Sequence, residues 1–226
     1  MLRSAIIVAG GSGKRMGGPI PKQFLLLKGR PLLCWTIGAF HRYDPTMPII
    51  VVLPEQQIPI WKSLCIGHHF HVPHDTVAGG EERFHSVRNG LGQVKHDGLV
   101  AVHDGVRPLV SAELINTCFK AAEEHGAVIP VVPIHSSVRE LEGDQSYPVD
   151  RSRLRLVQTP QCFRCELLRR GFELTYDDTF TDEASLMERL DVDVCLVEGE
   201  EQNIKVTSPL DLRIAELLVL DSGQGS

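Results

Sequence analysis

The chain has 226 residues, 42% of them hydrophobic, enough for one sizeable core, and it carries a net charge of −6 with no basic block. That balance argues against nucleic acid or an acidic membrane as the main partner and leaves a small ligand as the expectation. No run approaches the ~18 apolar residues of a membrane span, and an apolar strand begins within a few residues of Met1, so neither a membrane segment nor a signal peptide is expected and the location is read as cytoplasmic.

The first strand, residues 5–9, runs into the stretch AGGSGKRMGGPIPKQF. Glycines 10, 11, 13, 17 and 18 let backbone N–H groups approach a ligand, and Lys14, Arg15 and Lys22 add three cations within nine residues, a pairing suited to polyphosphate. Two familiar phosphate loops fail on it. A Walker loop ending at Lys14 would need glycine at Val8 and a hydroxyl at Arg15, and a dinucleotide fingerprint starting at Gly11 would need its third glycine at Met16.

Further apolar runs at 49–53, 99–103, 128–132 and 194–197 are rich in Val and Ile and lack polar alternation, as strands covered on both faces do. Helices are predicted between most of them: one headed by Pro31, one carrying Phe84, Val87, Leu91 and Val94 at helical spacing, and one running from a cap at Ser111 to a stop at Gly126. Alternating strands and helices predict a single α/β domain over 1–226, a Rossmann-like, doubly wound, mostly parallel sheet with ligands at the carboxyl ends of its strands. From 135 to 158 the pattern becomes SSVREL, a turn-like EGDQ and the alternating RLRLV, which predicts an inserted β-hairpin arm. Its apolar face needs cover, from a second subunit or from its own domain. The six cysteines read as buried free thiols, and Cys162 and Cys165 lack the second pair that a zinc site requires.

Asp104 ends a buried-type strand beside the glycine loop, where its carboxylate would suit magnesium or, equally, cap a turn. Arg107 is placed to steady Asp104 or a nucleotide, and His103 reads as a packing or hydrogen-bonding residue. The segment AGGEERFHSV puts Gly79 and Gly80 before a helix start, with Glu81 and Glu82 suited to its first turn. Lys205 in NIKVT, read as a strand end, precedes a helix capped by Ser208 with Pro209 at its first position, an anion site in outline.

Taken together, the glycine loop, HDGVRP at 103–108, QTPQCF at 158–163, FTDEAS at 180–185 and NIKVT at 203–207 resemble the 2-C-methyl-D-erythritol 4-phosphate cytidylyltransferases of isoprenoid biosynthesis, in motif order and over nearly the whole chain. The resemblance implies a magnesium-dependent homodimer that joins CTP to a polyol phosphate with release of pyrophosphate. It assigns catalysis to Arg15, Lys22 and Lys205, nucleotide binding to Ala9, Gly10, Gly11, Gly13, Gly80, Arg83, Ser86 and Asp104, and the metal to Asp104. Acceptor binding falls to Arg107, Ser137, Thr181 and Arg151, the last supplied by the neighbouring subunit's arm. The chain departs from the family pattern at Glu81, where Asp is common, at Ser136–Ser137, where Asp-Thr is common, and at Gln202, where an acid is common. A cytidylyltransferase for another polyol phosphate, such as ribitol 5-phosphate, shares the glycine loop and HD-x-x-RP; FTDEAS and QTPQ favour methylerythritol phosphate. A nicotinamide-dependent oxidoreductase is disfavoured by the missing third glycine.

Overall fold

The computed structural model describes residues 1–10 and 20–221; the expected site residues Gly11, Gly13 and Arg15 lie outside the described residues. In chain order the elements are β1 (Arg3–Val8), β2 (Leu26–Leu27), β3 (Arg30–Pro31), α1 (Leu32–Tyr43), β4 (Ile49–Leu53), α2 (Ile58–Gly67), β5 (Asp75–Ala78), α3 (Arg83–Leu91), β6 (Leu99–Asp104) and α4 (Ala112–His125). They continue with β7 (Ala127–Pro133), β8 (Val138–Glu142), β9 (Gln145–Val149), β10 (Arg155–Val157), β11 (Gln161–Arg164), α5 (Cys165–Gly171), α6 (Glu183–Arg189), β12 (Cys195–Glu198) and α7 (Pro209–Asp221).

Eight strands form one mostly parallel sheet. β5, β4, β1 and β6 run parallel side by side, β11 lies antiparallel between β6 and β7, and β12 pairs parallel with the other edge of β7. Val131 of β7 meets Val157 of β10 on one edge and Glu198 of β12 on the other, while Val128 meets Cys162 of β11 and Cys195 of β12. Thus β10 and β11 occupy the same edge of β7 in succession, joined through Gln158, Thr159 and Pro160.

Why the strands are apolar throughout follows from the layers. Side chains alternate across a strand, so Ile7 of β1 joins the core under α1 and α4 with Ile37, Phe40 and Phe119, while Ile6 joins the opposite core under α3, α5 and α6 with Phe84, Val87 and Leu186. A smaller cluster packs Leu27, Leu32 and Trp35 against Val206, Ala215 and Val219, which docks α7. Ser111 caps α4 by accepting from Leu114 N at 2.9 Å, and Gly126 ends it at φ +84, a conformation that favours glycine.

The hairpin differs in its second strand. β8 pairs with Gln145–Val149, turning through Gly143 at φ +57 and Asp144, whereas the alternating RLRLV contributes β10 to the edge of the main sheet. Its alternation is therefore that of an edge strand, and the arm proper spans 138–149. β5 and β11 form where no strand was expected. The stretch 203–207, expected to be a strand end, joins no strand ladder and is held by Val206 N donating to Val106 O at 2.9 Å. Pro31 stands at the N-cap of α1, one place before the expected position. All six cysteines are free, and burial pushes Cys34 up to about 12 and Cys165 to about 11, so both are thiols at neutral pH. Among the described residues no helix is long and apolar enough to cross a membrane.

One glycine shows how tightly α3 sits on the sheet. A Cβ on Gly90 would lie 2.7 Å from Ile6 Cγ2 and 2.9 Å from Val52 Cγ2, both on stiff β-branched side chains of central strands. Gly90→Val is expected to lower stability by about 2 kcal/mol, because overpacking outweighs the small gain in helix propensity. A urea midpoint equal to that of the parent would contradict this packing.

Candidate active site

The parallel register sets the site. Val8 at the end of β1 is the Cα partner of both Asp104 at the end of β6 and Val52 of β4, so three strand ends open on one rim. Gly105 crosses that rim closely: its N–H donates to Val8 O at 2.8 Å, and a Cβ there would sit 2.9 Å from Ala9 Cβ. A cavity of about 320 Å³ lies above it. Among the expected residues, Ala9, Gly10 and Lys22 line one side, Gly80, Arg83 and Ser86 another, and Asp104 and Lys205 the floor.

Asp104 is 7% exposed. Its Oδ2 accepts from Lys205 Nζ at 3.0 Å and Arg107 Nε at 3.3 Å. Burial alone would raise its pKa, but the charges of Lys205, Arg83 and Arg107 and the Lys205 hydrogen bond outweigh it and hold the carboxyl well below the usual range. Asp104 is therefore ionised and set among cations. Arg107 also donates to Asn203 O at 2.7 Å, which fastens the NIKVT segment beside HDGVRP and presents Lys205. Through its ion pair Arg107 steadies Asp104, one of the two roles expected of it. Arg107 and Lys205 also line a neighbouring cavity of about 450 Å³ beside β10, with His135, Leu156 and Asn203.

His103 points the other way, into the core, and is 0% exposed. Thr159 Oγ1 accepts from Asp104 N at 3.1 Å, so its proton is free for His103 Nδ1 at 3.0 Å, and His103 Nε2–H then donates to Arg107 O at 3.2 Å. This chain selects the Nε2–H tautomer and ties Asp104, Arg107 and Thr159 together through a neutral imidazole.

The rim before α3 is equally constrained. Gly80 N donates to Ser86 Oγ at 3.1 Å, and a Cβ on Gly80 would come within 2.4 Å of His85 Cβ. Glu81 and Glu82, expected in the first turn of this helix, precede it instead: α3 starts at Arg83, Glu82 stands at its N-cap with no side-chain cap bond, and the first turn holds no acid. Arg83 forms a two-pronged ion pair with Glu183, one prong at 2.8 Å, and Glu183 is only 2% exposed. Gln161 completes the joint: Glu183 N donates to its Oε1 at 3.2 Å, and its Nε2 donates to Asp182 Oδ2 at 2.8 Å.

Sequence reasoning missed Glu183, Gln161, Thr159 and Asn203 as site supports, although all four stand inside the motifs FTDEAS, QTPQCF and NIKVT. Gln23 was missed as well; its Nε2 donates to Ala9 O at 2.7 Å and fixes the start of the glycine loop. Three expected acceptor residues do not line the cavity: Ser137, Thr181 and Arg151 are exposed, and Arg151 donates to His135 O at the base of the arm.

The donor set fits magnesium of the kind held by one carboxylate. Glu81 and Glu82 line the cavity at the rim before α3 and Asp104 lines its floor, and among the described residues no group of three or more His, Cys, Asp or Glu gathers around a common point, so Asp104 is the carboxylate placed for a metal beside the strand ends. A hard carboxylate oxygen beside room for polyphosphate leaves the remaining positions to phosphate oxygens and water.

The buried imidazole gives a pH signature. Burial, ahead of the opposing Asp104 charge, lowers His103 from 6.5 to about 4. Between those values the unfolded chain binds a proton that the native state refuses, so stability rises with pH across the window, is full above about pH 6.5 and is fully lost below about pH 4. At about 1.4 kcal/mol per unit the effect is on the order of 3 kcal/mol. Metal-free urea melts of the parent minus those of His103→Gln should show this slope between about pH 4 and 6.5; parallel curves would mean that His103 does not titrate there.

Residues 4–221 match the family model described as 2-C-methyl-D-erythritol 4-phosphate cytidylyltransferase. The chain is 53% identical over 219 residues to the enzyme of that name from Phocaeicola vulgatus, covering 97% of this chain and 100% of the relative, and 52% identical to that from Porphyromonas gingivalis, covering 96% and 97%. The crystal structure of the Thermus thermophilus enzyme superposes with a TM-score of 0.80 at 34% identity over 97% of this chain and 100% of that one. The structure of 4-diphosphocytidyl-2C-methyl-D-erythritol synthase from Anaerococcus prevotii gives 0.82 at 30% identity over 97% and 96%. A carboxylate among cations at the strand ends and a match along almost the full length thus agree, and the chain belongs to the 2-C-methyl-D-erythritol 4-phosphate cytidylyltransferase family of non-mevalonate isoprenoid synthesis.

Proposed function

We propose that the 320 Å³ cavity holds CTP, with its triphosphate on the glycine loop between Lys22 and Lys205 and its base against Gly80 and Ser86. The phosphate of 2-C-methyl-D-erythritol 4-phosphate attacks the α-phosphorus, forming the new P–O bond as the bond to pyrophosphate breaks. The observation that carries this reading is the ionised Asp104 packed between Lys205 and Arg107 on the floor of the cavity. Such a site is built for an anion that brings more charge than the protein can neutralise alone.

A phosphate monoester with a second pKa near ~6 is largely dianionic at neutral pH, so the acceptor needs no general base. His103 could not serve as one, since both ring nitrogens are engaged in the core. Catalysis then rests on positioning and on cations preorganised for the charge that builds up at phosphorus, the work assigned to Lys22, Lys205 and Arg15. Asp104 would hold magnesium, which supplies charge neutralisation to the phosphate oxygens when bound. Ser86 Oγ, having accepted from Gly80 N, keeps its own proton to donate. Cytosine offers an acceptor at N3 where uracil offers a donor, so a mismatch there would cost roughly 1–3 kcal/mol.

Two exposed apolar residues support a role for the arm: Leu141 is 77% and Tyr147 44% exposed on a two-stranded hairpin whose residues 139–148 are all exposed. A second copy of the chain clasped by the arm, with Arg151 and Ser137 completing the neighbour's acceptor site beside Thr181, accounts for three site residues that do not line the cavity. The six free thiols suit a cytoplasmic setting.

Pyrophosphate release should be measured with CTP, magnesium and a panel of polyol phosphates. Methylerythritol phosphate is expected to be used well above ribitol 5-phosphate, and the reverse order would reassign the acceptor. The shared site has a separate test. Lys22→Ala and Arg151→Ala should each be nearly inactive, while random co-refolding of equal amounts should restore about a quarter of the sites, because in a two-fold dimer one mixed site carries both lesions and the other none. A mixture as inactive as its parents, with subunit exchange confirmed, would place Arg151 outside the neighbour's site.

A further inference from the structure

A second cleft, of about 370 Å³, lies between α1 and the loop that follows α2, and none of its lining residues lines the catalytic cavity. Its apolar floor is Trp35, Phe70 and Val72. Every charged or imidazole side chain on its walls is of the basic kind: Arg30, Arg42, His41, His68, His69 and His71. No carboxylate lines it, in a chain with 29 Asp and Glu against 23 Lys and Arg.

The two guanidiniums are directed at this space. Arg30 lies 5.8 Å from the Trp35 ring centroid, and Arg42 folds back along α1 so that a Cβ on Gly38 would meet its Nη1 at 3.2 Å. Neither arginine makes an ion pair or side-chain hydrogen bond with a described residue. Partial desolvation and, after it, the Arg30 charge both lower the Arg42 pKa, as expected of like charges brought together without a counter-ion. An anion seated between them would remove that repulsion, and a guanidinium matches phosphate oxygens in pairs. A metal ion is the poorer occupant, since the described residues form no cluster of three or more metal-ligating side chains.

We propose that this cleft is a second anion site, separate from the catalytic one, that takes a phosphate or diphosphate group, with Trp35 and Phe70 accommodating an apolar or aromatic part attached to it. The binding is independent of the cytidylyl transfer assigned above. Its contacts come from three places held by the core, Arg30 of β3, α1 and the loop whose Phe70 packs on Trp61, so the site is formed in the folded chain without any movement of the catalytic rim.

Calorimetric titration of inorganic pyrophosphate into the full chain should resolve two sites. Lys205→Ala should weaken one, and Arg30→Gln with Arg42→Gln should weaken the other about tenfold or more, the loss expected for charged hydrogen bonds. The doubly substituted chain should keep its turnover and melting temperature, which separates loss of a ligand from loss of the fold. Parallel titrations with orthophosphate and CTP distinguish a bare anion from one carried on an aromatic group, tighter CTP binding marking the latter. In the unsubstituted chain, pyrophosphate should also shift the ring signals of His68, His69 and His71 in NMR spectra while Lys205→Ala leaves those shifts intact. A single site abolished by Lys205→Ala, an unchanged titration in the arginine variant, or histidine signals that do not move would each overturn the proposal.

Discussion

The carboxylate of Asp104 is the constraint on which the remaining arrangement depends. A buried charge is tolerated only when paired and hydrogen-bonded, and here the pairing draws together parts of the chain that are remote in sequence. Lys205 comes from the stretch before α7, Arg107 from the turn after β6, and Arg107 in turn holds Asn203 O, so the C-terminal segment is docked by the same interaction that shapes the floor of the cavity. The energetic balance between desolvation and pairing is close for such clusters. What the cluster secures is a single geometry, with two cations facing one acid at the point where phosphate is expected.

A second joint, the buried pair of Arg83 and Glu183, does for the nucleotide rim what Asp104 does for the floor. Arg83 begins α3 and Glu183 begins α6, and Gln161 grips the first turn of α6 from β11. Thr181 lies two residues before Glu183, so the segment assigned to the acceptor and the segment assigned to the base share one rigid support. Burial, with the nearby charges of Asp182 and Asp104, raises the pKa of Glu183 against the opposing pull of Arg83, and the two-pronged contact is what the Arg83 charge supplies to hold that rise down.

Much of this was legible in the residues, and the exceptions have physical causes. The Val- and Ile-rich runs at 5–9, 49–53, 99–103 and 128–132 became central strands because strands covered on both faces have no polar side to show, whereas 194–197, expected to be covered likewise, forms the edge strand β12 with Leu196 57% exposed. β5 was missed because a four-residue edge strand with partial burial, DTVA, has neither a long apolar run nor a clean alternation. QSYPV was passed over as a hairpin strand, and its Pro148 reads against one, yet in an isolated two-stranded ribbon a proline costs no ladder bond on its outer edge. In the site, Asp104, Lys205, Ser86 and Gly80 stood out through motif and charge. Glu183 and Gln161 did not, since a contact spanning 100 positions, as between Arg83 and Glu183, leaves no local pattern to read.

The neighbours His103 and Asp104 divide the two faces of β6 between them: one imidazole in the dry core, one carboxylate on the wet rim. Because alternation along a strand has a period of two, sliding β6 by one residue against β1 would exchange them, setting a neutral ring on the cavity floor and an acid among Phe40 and its neighbours. Single insertions or deletions within β6 are therefore excluded by chemistry even where the sheet could absorb them, and drift in the length of this strand is confined to even steps. The strand acts as a parity gauge, and its hydrogen-bond register shapes the cavity floor as much as any side chain it carries.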